Sequence, residues 1–135
     1  MYQIFQEYFK EINLKIFLKY DAERENNCFT VMLVDVENPN KNLMKNTNDL
    51  NTVFLELINK KGILVSDETN KVLLNTFINI KESLIEKFKD NLVFIMTVEK
   101  KEQLEYYVSI ICGNDTRNHR STDFNLIQEF INSNL

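Results

Sequence analysis

The one histidine of this 135-residue chain lies in a polar run, Gly113-Asn114-Asp115-Thr116-Arg117-Asn118-His119-Arg120-Ser121-Thr122-Asp123, with two of its three arginines. Guanidinium groups fork onto phosphate or carboxylate oxygens, and an imidazole adds a donor that titrates near neutrality. Asp115 can orient that imidazole, and the run leads into a helix start, where free backbone N–H groups favour anions. Arg117, His119 and Arg120 are therefore a candidate anion-binding loop. The plainer reading is a solvated loop whose Ser121 or Thr122 caps the helix that follows.

A second constellation pairs Asp35-Val36-Glu37, at the end of one apolar run, with Glu99-Lys100-Lys101, at the end of another. Two carboxylates at strand ends can hold Mg²⁺ while a lysine steadies a scissile phosphate, as in metal-dependent nucleases. Such residue types also mark any strand emerging into solvent, and Glu-Lys-Lys-Glu is an ordinary hairpin turn. Dispersed acids offer a third possibility. Glu23, Glu25, Asp35 and Glu37, gathered on one side of a sheet, would form a negative surface for a basic protein partner, with Tyr106 or Tyr107 as aromatic anchors. Against this stands solubilising charge and half-buried strand tyrosines.

Composition removes several classes. Two Gly, one Pro and two Cys do not supply a glycine-rich phosphate cradle or a Cys/His metal cluster, so no catalytic kit, cofactor or resident metal is expected. A net charge of −4 argues against nucleic acid and anionic membrane as partners. The opening Met1–Glu7 lacks the basic start of a secretory signal, and apolar runs such as Leu92–Met96 are too short to span a bilayer. The expectation is a soluble, cytoplasmic protein whose Cys28 and Cys112 are buried free thiols within strand-like runs.

The elements that would position these groups follow from periodicity. Ile4, Phe5, Tyr8, Phe9 and Ile12 share a helical stripe. Ile12, Leu14, Ile16, Leu18 and Tyr20 then alternate with Asn13, Lys15 and Lys19, the pattern of a strand solvated on one face. Cys28–Val36 is apolar on both faces, as a central strand covered from both sides would be. The hairpin Ile12–Val36 thus reads as an outer strand beside a central one. Glu37–Asn48 holds the only proline and reads as an irregular excursion.

Leu50, Val53, Phe54, Leu57 and Ile58 form a helix capped by Thr47 or Asn48 and stopped at Gly62, with Ile63–Val65 as a very short strand. A long helix starts at Ser66 or Asp67 and reaches Lys89. Leu92–Val98, a second two-faced strand, and Leu104–Cys112 form a hairpin. After the polar loop, a helix from Ser121 or Thr122 to about Asn132 buries Phe124, Ile127, Phe130 and Ile131.

The order α-β-β-α-(β)-α-β-β-α, without linkers or βαβ repeats, specifies one α+β domain over residues 1–135, its mixed or antiparallel sheet built from two hairpins. Small size, acidity and strand tyrosines point to a non-enzymatic protein-binding module of the inhibitor or immunity type, which neutralises a toxin or enzyme. The alternatives are a dimeric acidic secretion chaperone and a small enzyme acting on a phosphorylated ligand or using Mg²⁺.

Overall fold

The computed structural model describes residues 14–100 and 102–135. Six strands form one antiparallel sheet: β1 (Leu14–Asp21), β2 (Phe29–Asp35), β3 (Leu43–Thr47), β4 (Leu92–Lys100), β5 (Leu104–Cys112) and β6 (Asp115–Ser121). Their spatial order is β3-β2-β1-β4-β5-β6. Three helices, α1 (Leu50–Lys60), α2 (Asp67–Phe88) and α3 (Phe124–Ser133), complete an α+β fold. The helix expected over Ile4–Ile12 lies outside the described residues.

Both two-faced strands are interior, β2 between β3 and β1, and β4 between β1 and β5. In contrast to expectation, β1 is no outer strand. It sits at the middle of the sheet, because Leu43–Thr47 adds β3 beyond β2 and β1 pairs with both β2 and β4. The supposed excursion therefore contains a strand. Its sequence, Leu-Met-Lys-Asn-Thr, is too polar to announce one, and it survives because an edge strand needs only one ladder and gains from a charged outer side.

The polar run after Gly113 is likewise a strand, not a loop. Gly113, at φ +61°, and Asn114 form a two-residue hairpin that closes Cys112 against Asp115. Positive φ at the first central position is the glycine-first hairpin turn that matches sheet twist. Ile63–Val65, in turn, joins no strand. Gly62, at φ +75°, ends α1 as expected, and the Ile63 N–H bonds back to Ile58 O. Helix starts are capped by Asp49, Ser66 and Asp123, so only the Ser66 cap matches the expected residues.

All three helices lie on one face of the sheet. Leu14, Ile16 and Leu18 of β1, Val31 and Leu33 of β2, and the even-numbered residues from Leu92 to Val98 and from Leu104 to Ile110 are buried there. They meet Phe54 and Leu57 of α1, Leu73, Phe77 and Leu84 of α2, and Phe124, Ile127 and Ile131 of α3 in one continuous core. Phe77 stacks on Phe94 with centroids 5.2 Å apart, and Tyr106 meets Phe124 edge-on at 5.2 Å.

Candidate protein interface

Register along the ladders places the odd-numbered residues of β1, β4 and β5 on the opposite face. One row runs Met44, Met32, Phe17, Thr97, Tyr107 and Arg120, across all six strands. A row toward one sheet end runs Val34, Lys15, Glu99 and Glu105; rows toward the other run Asn46, Thr30, Lys19, Ile95, Ser109 and Asn118, then Asp21, Val93, Ile111 and Thr116. Among the described residues no helix packs against this face. Met44 is 61% exposed, while Phe17, Met32, Ile95 and Tyr107 are half-buried. A Met- and aromatic-bearing stripe between charged rows thus lies on the face opposite the described helices, with Thr30, Thr97 and Ser109 buried between its larger side chains.

Charges around this stripe are held in place. Glu99 and Glu105 face each other in register, an unfavourable like-charge pairing. Lys15 lies across from Glu99 on its other side, and the Arg120 guanidinium donates to Glu105 Oε1 at 2.8 Å. The same guanidinium rests 5.2 Å from the Tyr107 ring centroid, so it fixes both residues. At the far corner Arg24 pairs with Asp21 and donates to Thr30 Oγ1 and Asn46 Oδ1, stitching the β1–β2 turn to β3.

The anticipated acidic surface does not assemble as one patch. Glu23 and Glu25 are exposed in the β1–β2 turn, whereas Asp35 and Glu37 lie at the opposite end of β2. Six strand steps separate those ends, about 20 Å. Asp35 is committed elsewhere: its Oδ1 accepts from the Glu37 and Asn38 N–H groups, and its Oδ2 lies 3.6 Å from Lys61 Nζ. Tyr106 is 1% exposed beneath α3, so it is a core residue and no anchor. Tyr107 alone of the expected anchors faces outward.

Nor do Asp35 and Glu99 share a metal-binding position. Asp35 follows Leu33 in phase and points to the helix side, where Lys61 meets it, while Glu99 follows Val98 and points to the opposite side. Two carboxylates on opposite faces cannot ligate one ion. Lys101 lies outside the described residues, and among them no cluster of three His, Cys, Asp or Glu is close enough for a metal.

The arginines and histidine expected to bind anions are divided between the faces of β6, Arg117 and His119 on the helix side and Arg120 on the other. Arg117 donates to Asn134 Oδ1 at 2.8 Å and to Asp115 Oδ2 at 3.2 Å, tying β6 to the end of α3. His119 stacks on Phe130, centroids 5.3 Å apart, on the helix side. Arg120 points to the other face, toward Glu105 and Tyr107. The strand thus parts Arg120 from the other two, and Arg117 and His119 are each committed to a partner on α3 or at its end.

Cys28 and Cys112 are free thiols, half-buried instead of buried. They sit at strand ends with β1 and β4 between them, about 14 Å across the sheet, well beyond disulfide reach.

One feature went unread in the sequence. Lys81 of α2 is 9% exposed, with Nζ 5.0 Å from the Tyr20 ring centroid, 5.3 Å from that of Phe29 and 2.8 Å from Glu82 Oε1. Four residues after Phe77, it occupies an apolar-stripe position of α2, and that misplaced charge was the available signal. Burial raises the Tyr20 hydroxyl above its ordinary pKa of 10.0, helped by the negative charges of Cys28, Glu82, Asp90 and Asp21.

Comparison with models of protein families, with curated proteins and with solved structures finds no match for this chain. No described helix is long and apolar enough to cross a membrane.

Proposed function

We propose that this chain is a protein-binding module that engages its partner with the face of its sheet opposite the described helices. The supporting observation is the pattern of β2 and β4, which are apolar on both faces although the described helices occupy only one. Met32 and Val34 of β2 and Val93 and Ile95 of β4 carry apolar area that the core does not use. Continuous apolar area of this kind, rimmed by fixed charge, is what a docking surface requires. Partner recognition centres on Tyr107, Phe17 and the methionine pair Met32–Met44, with Lys15, Glu99, Glu105 and Arg120 as the polar rim. On this reading the chain acts as an inhibitor of the immunity type, covering a toxin or enzyme and so neutralising it.

The secretion-chaperone reading stays as a second one, since adaptable methionines suit the grip of an extended segment. Immobilised wild-type chain and the Met44→Lys and Tyr107→Ser variants, presented to source lysate, test the proposal. A protein retained by the wild type and released by both variants supports it. Equal retention by all three refutes it. A folded, active partner that loses activity when bound favours the inhibitor; displacement by a short unstructured peptide of that partner favours the chaperone.

A further inference from the structure

Leu64, in the connection between α1 and α2, is 95% exposed. Its neighbours Ile63 and Val65 are half-buried against the core, so the connection is anchored on both sides of it. The Ile63 N–H bonds to Ile58 O, and Ser66 Oγ accepts from Thr69 N–H at 3.1 Å, which fixes where each helix begins and ends. The leucine is therefore a knob held out on a short, tethered loop, and it contributes no burial to a single chain.

Beside it, on the outer side of the helix layer, runs a groove of about 260 Å³ between α1 and α2. Leu74, 4% exposed, forms its floor and Leu55, 39% exposed, one wall, with Asn51 and Asn75 on the rim and Asp67 and Lys71 toward the loop. An apolar cavity of about 150 Å³ holds a benzene ring, so the groove admits a leucine side chain with room to spare.

We propose that the knob and the groove form a twofold interface between two copies of this chain. A twofold contact requires that whatever one copy offers, it also receives. Leu64 and the groove meet this condition, because they lie side by side: Asp67, three residues after the knob, already lines the hole. The charges agree. Asp67 and Lys71 are exposed, one turn apart, and take part in no ion pair among the described residues. Antiparallel approach of two α2 helices sets Asp67 of each copy opposite Lys71 of the other.

Such a dimer uses the helix layer and leaves the opposite sheet face out of the contact, so this inference does not rest on the function proposed above.

Sedimentation analysis of the full chain up to about 100 µM, a concentration that reveals even weak dimers, tests it. The wild type is expected to sediment at twice 16.1 kDa. Leu64→Glu should raise the dimer dissociation constant by about tenfold or more while leaving the melting curve unchanged at concentrations where both chains are monomeric, since the side chain is exposed. Asp67→Lys should weaken the dimer, and Asp67→Lys combined with Lys71→Asp should restore it. A wild type that stays monomeric throughout overturns the proposal. So does a dimer indifferent to Leu64→Glu, or one that Met44→Lys dissociates instead.

Discussion

Replacing Asp35 by alanine separates a structural fastener from a functional acid. Two turn hydrogen bonds to Oδ1, at 3.2 and 3.1 Å, would go. At their modest geometry each is worth about 1 kcal/mol net. Lys61 would lose its counter-charge at 3.6 Å while remaining only 9% exposed along its side chain. The gross attraction at that distance is about 4–5 kcal/mol at an effective dielectric of 20, and desolvation of both groups leaves about 1–2 kcal/mol net. The total cost is about 3 kcal/mol. With the usual unfolding entropy for a chain of this size, that lowers the melting temperature by about 10 °C. Asp35→Asn keeps the Oδ1 acceptor and loses only the charge, so it should cost about half as much. A double-mutant cycle with Lys61→Ala, followed by thermal and urea unfolding, should give a coupling energy of about 1–2 kcal/mol. If Asp35→Ala melts within about 2 °C of wild type, and the coupling lies inside the ~0.3 kcal/mol scatter of independent sites, the fastener argument fails. Loss of partner binding at unchanged stability would return Asp35 to the interface.

Arg117→Ala should cost about 1–2 kcal/mol by freeing the end of α3, and inorganic phosphate at about 10 mM should leave the wild-type melting temperature unmoved; a phosphate-dependent rise would restore the anion site. Tyr20 titrates above 10.0 in the folded chain, so its contribution is complete below pH 10.0 and is lost as pH rises from there through the folded value. Melting curves taken above and below that pH should accordingly show a shallower alkaline loss in Tyr20→Phe, and parallel curves would contradict the assignment. Leu33 and Phe94, both 0% exposed, should cost about 2–5 kcal/mol each on truncation to alanine, measured by urea unfolding.

How far the sequence reached depended on how much apolar area each element had to bury. β2, β4, α1 and α2 bury full stripes or faces, and their periodicity placed them to within a few residues. β3 and β6 bury little. Lys45 and Asn46 of β3, and Arg117, Asn118 and Arg120 of β6, are exposed, so hydropathy alone reads both strands as loops. The Gly113-Asn114 pair was the better signal, since a positive-φ glycine followed by asparagine turns a hairpin whether or not the returning strand is apolar.

The candidate site suffered from the same omission, with larger consequences. Read as a loop, Arg117, His119 and Arg120 can converge on one ligand. Read as a strand, alternation sends His119 toward Phe130 and Arg120 toward Tyr107 and Glu105. Adding β3 beyond β2 likewise moved β1 to the centre, which put Phe17 in the middle of a row from Met44 to Arg120 instead of at a margin. Composition gave every residue of that row, but a row across six strands is a property of register. Register is fixed by the turns and the buried face together, and two of the turns that set it were those the polar sequence concealed.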